Sequence, residues 1–160
     1  MQGEDWSNLQ NVLVLAADVP TLVKPVIEAL HRALPSVALD IIGCTPAWDT
    51  ASLAPHPVQL WRNLEASLPE QGDAISWMQT RSFDAALLLT PPAQSPYTLA
   101  YLCYLARIPV RIGQSLEFGG RLLSHWYLPP DDGEAVNPHL HLLKSAGFPF
   151  FGGRVSSNAA

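Results

Sequence analysis

Two cysteines in 160 residues give no disulfide framework, and Cys44 and Cys103 lie in apolar segments without a second cysteine or a close histidine at metal-ligand spacing. Both thiols are expected to be buried and inert, and no metal site is expected. Lysine and arginine, nine together, cluster nowhere, and against fourteen acidic residues they leave a net charge of −5. The counterion release that drives nucleic-acid affinity therefore has no source, which excludes nucleic acid as a partner. No segment reaches the ~18 uninterrupted apolar residues of a membrane span. The first ten residues, MQGEDWSNLQ, carry neither the basic flank nor the apolar run of a secretory leader. The expected setting is the cytoplasm, with at most a peripheral place at the inner face of a membrane.

Glycine is missing where a nucleotide-binding fold most often uses it. The stretch NVLVLAADVPTLVKP, residues 11 to 25, runs an apolar strand into a helix. In phosphate-binding turns, glycine lets the backbone approach a pyrophosphate that sits on the helix N-terminus. Here the turn is Ala16-Ala17-Asp18-Val19-Pro20-Thr21, which puts a carboxylate where an anion would lie. A dinucleotide at this turn is excluded, and no Gly-rich phosphate loop, paired-carboxylate motif or nucleophile elbow occurs elsewhere.

What the chain has in abundance is apolar surface. Hydrophobic residues make up 48% and charged residues 14%, which at this length describes one globular domain with a large core. The continuous apolar run at 11–17 reads as a parallel strand covered on both faces, 38–44 as a second strand and 84–90 as the clearest central strand, with further strands at 109–113 and 122–129 and a short one at VQLWRN. Leu22, Val23, Val26, Ile27, Leu30 and Leu34 form a helical stripe whose Pro25 should fall near the first turn. A second helix is expected over 73–82 with Asp73 as N-cap. A third spans 96–108, with Ser95 as N-cap and Pro96 as its first residue; being apolar on nearly every side, it should be buried or covered. Asn137-Pro138 opens a last helix that Gly147 closes. The alternation predicts an α/β fold, a doubly wound, mostly parallel Rossmann-like sheet over 11–147. Residues 1–10 are then an N-terminal extension and 148–160 an aperiodic tail.

The stretch ARIPVRIGQSLEFGGRLLSHWYLP resembles the N-terminal domain of the heptosyltransferase-like glycosyltransferases of family nine. That family has GIPRRIGY, a variable loop and RxLLLTHRV here, matched by Arg111, Ile112, Gly113, Arg121, Leu122, Leu123 and His125. PVIEALHRALPSVALDIIG and SFDAALLLTPP resemble the family's first helix with second strand and its YDLAIDLH segment. The resemblance implies one half of a two-domain GT-B architecture, the half that holds the acceptor during lipopolysaccharide or other envelope sugar transfer. The donor nucleotide sugar would need a second domain, so no cofactor is expected on this one, and 148–160 would be the tail or the start of an interdomain linker.

In the family the first strand leads into a loop whose aspartate is the general base on the acceptor hydroxyl. Asp18 is the nearest match, although the family's neighbouring arginine and glycine are absent. An aspartate at this place also suits a helix cap that accepts from the Thr21 N–H, and the cap is the reading favoured here. The resemblance offers Arg111 and Arg121 as bidentate partners for an acceptor's phosphates or carboxylates and His125 as a further contact. Each also suits a structural or solvated place, as Trp48, Trp61, Trp77 and Trp126 suit the core better than a sugar face. The family's His-Glu-x-x-Arg motif is lost at Glu134, Ala135, Asn137 and Pro138. With the strand ends on one edge, Asp18, Thr21, Thr90, Gln94 and Ser95 should line one cleft.

Two functions follow. One is an acceptor-side glycosyltransferase domain that takes a phosphorylated sugar and needs a donor-binding partner chain. The other is a non-catalytic Rossmann-like module that binds another protein or a second copy of itself.

Overall fold

A computed structural model of the chain describes residues 6–116, 122–131 and 136–148. Six strands form one sheet: β1 Asn11–Ala16, β2 Ala38–Gly43, β3 Gln59–Leu60, β4 Ala85–Leu89, β5 Val110–Gln114 and β6 His125–Tyr127. Their order is β3-β2-β1-β4-β5-β6, and every pairing is parallel. Among the described residues four helices accompany them: α1 Pro20–Ala33, α2 Leu68–Gln79, α3 Tyr97–Leu105 and, after the last strand, α4 Pro138–Ala146.

The continuous apolar strands make sense because helices cover both faces. Successive side chains of a strand point to opposite sides, so Val14 and Ala16 of β1 join one core while Leu13 and Leu15 join the other. The first core takes Val23, Val26, Ile27 and Leu30 from α1 with Leu142, Leu143 and Ala146 from α4. The second takes Ala74 and Met78 from α2 with Leu99, Leu102 and Cys103 from α3. The first core also reaches past both ends of 11–147. Trp6 stacks on Phe148 with ring centroids 5.2 Å apart and donates its indole N–H to the Ala146 carbonyl at 2.9 Å.

Several local expectations are corrected. Pro25 lies inside α1 and not in its first turn, because Pro20 already occupies the start, where a missing N–H costs nothing. α2 begins at Leu68, with Ser67 as its N-cap accepting from the Glu70 N–H at 3.3 Å. Asp73 is therefore interior, and the Ser67-x-x-Glu70 spacing marks the true start. In α3 the N-cap is Pro96, while Ser95 accepts from the Tyr97 N–H at 3.1 Å from one residue further out. Nor is α3 buried all round: Tyr97, Tyr101, Tyr104 and Leu105 are exposed opposite its core side. The strand expected over 122–129 shrinks to three residues. α4 is as expected, with Asn137 accepting from the N–H groups of His139 and Leu140 and Gly147 closing the helix at φ 84°.

Candidate functional site

The strand order reverses between β1 and β4, which leave the sheet side by side with Ala16 opposite Leu89. Open α/β sheets bind ligands outside the strand ends at such a switch point. The first turn is anchored on both sides, by Ala17 N–H to the Leu89 carbonyl and Cys44 N–H to the Ala16 carbonyl, each 2.9 Å.

Asp18 follows directly, and it does not cap α1. The N-cap is Val19, whose own side chain makes no capping hydrogen bond. One oxygen of Asp18, Oδ1, accepts from the adjacent Val19 N–H at 2.7 Å, and the other, Oδ2, lies 2.8 Å from Nε2 of His139 on α4. Because Val19 and not Asp18 stands at the N-cap, these two contacts take the place of the expected cap bond to Thr21. Trp48 donates its indole N–H to the Asp18 carbonyl at 2.8 Å, and Arg62 donates from Nε to the Trp48 carbonyl at 2.8 Å. Trp48 is thus a core residue, 1% exposed.

His139 is fully buried, whereas the Asp18 side chain keeps 11% of its surface in solvent. Burial lowers the histidine pKa, opposed by the hydrogen bond and charge of Asp18. Nδ1 of His139 has no hydrogen-bond partner. Both facts describe a neutral ring with its proton on Nε2, donating to a carboxylate, rather than a buried ion pair. α4 is tied down around this bond. Asn137 donates from Nδ2 to the Leu22 carbonyl of α1 at 2.9 Å, and Gln114 donates from Nε2 to the Pro138 carbonyl at 2.8 Å.

The other site residues read from the sequence are placed as follows. Thr21 is exposed on the first turn of α1, and Thr90 is 2% exposed just beyond β4. Gln94 and Ser95 line a depression of about 190 Å3 with Pro92, Ala93, Ser115 and Leu116. A larger hollow of about 480 Å3 continues from Pro92 and Leu116 to Leu128 and Asp131. Asp18, Thr21 and Thr90 line neither of these two hollows. Arg111 spends Nε on the Leu122 carbonyl and Nη1 on the Ile108 carbonyl at 2.6 Å, with its guanidinium 5.5 Å from the Tyr104 ring. His125 sits level with Ile112 of β5, its Nδ1 2.9 Å from the Ser124 hydroxyl and its ring 5.3 Å from that of Trp6. Arg121 and Glu134 lie outside the described residues.

His139 is the residue that sequence reading missed. Its partner is 121 positions away, and a histidine two places after a helix-opening asparagine gives no local sign of it. Among the described residues no group of three or more His, Cys, Asp or Glu could hold a metal ion, and no helix is long and apolar enough to cross a membrane.

No family model matches the chain, and no curated protein matches it in sequence. Its fold, however, has solved neighbours. A glycosyl transferase of family 9 from Veillonella parvula matches with a TM-score of 0.70 at 14% identity, over 92% of this chain and 44% of its own. The E. coli heptosyltransferase WaaC, solved with ADP, matches at 0.62 and 16% identity, over 87% of this chain and 48% of its own. The lipopolysaccharide outer core galactosyltransferase WaaB matches at 0.51 and 11%, over 87% and 43%. The chain thus spans less than half the length of each of these three structures. Its all-parallel Rossmann-like sheet is similar in fold to about half of each of these glycosyltransferases.

Proposed function

We propose that the chain is the acceptor-holding half of a glycosyltransferase that acts on lipopolysaccharide or related envelope sugars. The observation that carries this reading is Asp18, an anchored carboxylate at the β1/β4 switch point with one edge still in solvent. In glycosyl transfer a base takes the proton of an acceptor hydroxyl while its oxygen bonds to the anomeric carbon of the donor sugar, and the nucleotide leaves with the bonding pair. Asp18 is the base in this reading. The donor must be held beside that hydroxyl by other residues, which a second domain would supply. A donor-binding partner chain and a cytoplasmic setting belong to the same proposal. The purified chain alone is expected to release no nucleotide from a sugar-nucleotide in the presence of acceptor; turnover without a partner would refute the division of labour.

A second reading has its own observation. The row of exposed tyrosines on α3, Tyr97, Tyr101 and Tyr104, suits a non-catalytic module that meets another protein or a second copy. Light scattering on the pure protein separates the two: a stable dimer favours the module, and a monomer that binds saccharide favours the acceptor half.

A further inference from the structure

Asp18 and His139 belong together chemically, and stability alone gives a poor account of why. The imidazole is fully buried on α4, and its Nδ1 has no partner. A buried polar atom left unsatisfied costs free energy, whereas an apolar side chain of similar size in place of the ring would avoid that cost. Its one hydrogen bond from the ring goes to Oδ2 of Asp18 at 2.8 Å. The carboxylate caps no helix, yet its other oxygen is held by the Val19 N–H, and the backbone carbonyl of the same residue is held by Trp48. The segment that delivers the imidazole is pinned in turn, to α1 by Asn137 and to the end of β5 by Gln114. An orientation fixed from four elements is what a reacting group needs, because its lone pairs must meet the substrate proton in line.

We infer that His139 is a positioning residue for Asp18: its Nε2–H holds the carboxylate in one rotamer at the switch point, with the remaining acceptor positions free for an acceptor hydroxyl. The inference rests on the reading of Asp18 as the base. It also fixes where the proton goes. A second proton on the ring would place an N–H at Nδ1 among groups that offer it no acceptor, so the ring remains a neutral donor. The proton taken from the hydroxyl stays on Asp18 until solvent removes it, and no relay runs through His139.

Two variants test this, each compared with the parent by thermal melting and by NMR. His139→Gln keeps an N–H within reach of Oδ2, and His139→Leu removes it. Couplings to Cγ of Asp18 should report one χ1 rotamer in the parent and in His139→Gln, and averaged rotamers in His139→Leu. The parent's imidazole should show an unprotonated Nδ1 and a protonated Nε2 whose proton signal moves in Asp18→Asn. The binding probe is core oligosaccharide released from lipopolysaccharide by mild acid. Its affinity should fall about tenfold in His139→Leu, the worth of one charge-assisted hydrogen bond, and recover in His139→Gln. A parent whose Asp18 rotamers are averaged, or a folded His139→Leu that keeps both the rotamer and the affinity, overturns the inference. If His139→Leu does not fold, His139→Gln decides alone: one rotamer supports the inference and averaging overturns it. If the parent binds no oligosaccharide, the functional reading fails, while the rotamer and imidazole signals still judge the role of His139.

Discussion

The indole N–H of Trp48 reaches 2.8 Å to the carbonyl of Asp18, thirty residues earlier, and Gly43 makes room for it. A Cβ at position 43 would stand 2.5 Å from Cγ of Trp48, closer than real contacts allow. The last residue of β2 therefore helps to fix the backbone at Asp18, after β1, through the side chain of Trp48. This is how the loop after β2, residues 46 to 57 with Pro46, Pro55 and Pro57, comes to matter for the switch point.

Gly43→Ala is accordingly expected to destabilise the fold by about 1–3 kcal/mol, the usual cost of overpacking a core. It should also move the NMR signals of the 16–19 turn. Urea melts of variant and parent check the first, and amide shifts check the second; unchanged midpoints would mean that Trp48 gives way freely.

Stability should depend on pH through His139. Its folded pKa is lowered from the ordinary 6.5, chiefly by burial, so between the two values the unfolded chain binds more protons than the folded one. Its contribution is then complete above about pH 6.5 and is lost as the pH falls through the lowered folded value. His31 shifts in the same direction, from burial and from His56 stacked 4.8 Å away, so the parent carries both effects. Urea midpoints at pH 7.5, 6.5 and 5.5 should fall on acidification, and less steeply in His139→Gln. Equal slopes would contradict a buried neutral histidine.

The strands were legible because their residues carry one unambiguous message. Val12 to Ala16 and Ala85 to Leu89 are apolar at every position, as only a strand covered on both faces needs to be, and short βα alternation then leaves few topologies. Helix starts were less legible. Asp73 and Ser67 are both good caps by type, and the Glu70 that decides between them lies in a stretch with little periodicity. Pro25 misled for a related reason: one helix holds two prolines, and only one can stand at its start. The candidate site was half legible. Asp18 stands out in a turn without glycine, but its hydrogen-bond partners are set by tertiary packing. Neither Trp48 nor His139 carries any mark of that duty in its neighbourhood.

The thiols give a separate check on the core. Burial pushes Cys103 up to about 12 and Cys44 still further from reactivity. At pH 8 the native protein should release no colour with a dithiobenzoate reagent, and two thiols should react once it is unfolded. Fast labelling of either in the native state would show that the face covered by α2 and α3 opens readily.

In the proposed function the chain holds the acceptor and not the donor. The most direct test is a pair of NMR titrations of the labelled chain, one with phosphorylated core oligosaccharide and one with ADP. The account predicts that the oligosaccharide shifts signals at Asp18, Thr21, Thr90, Gln94 and Ser95, and that ADP leaves them in place. ADP shifting those signals while the oligosaccharide does not would contradict it.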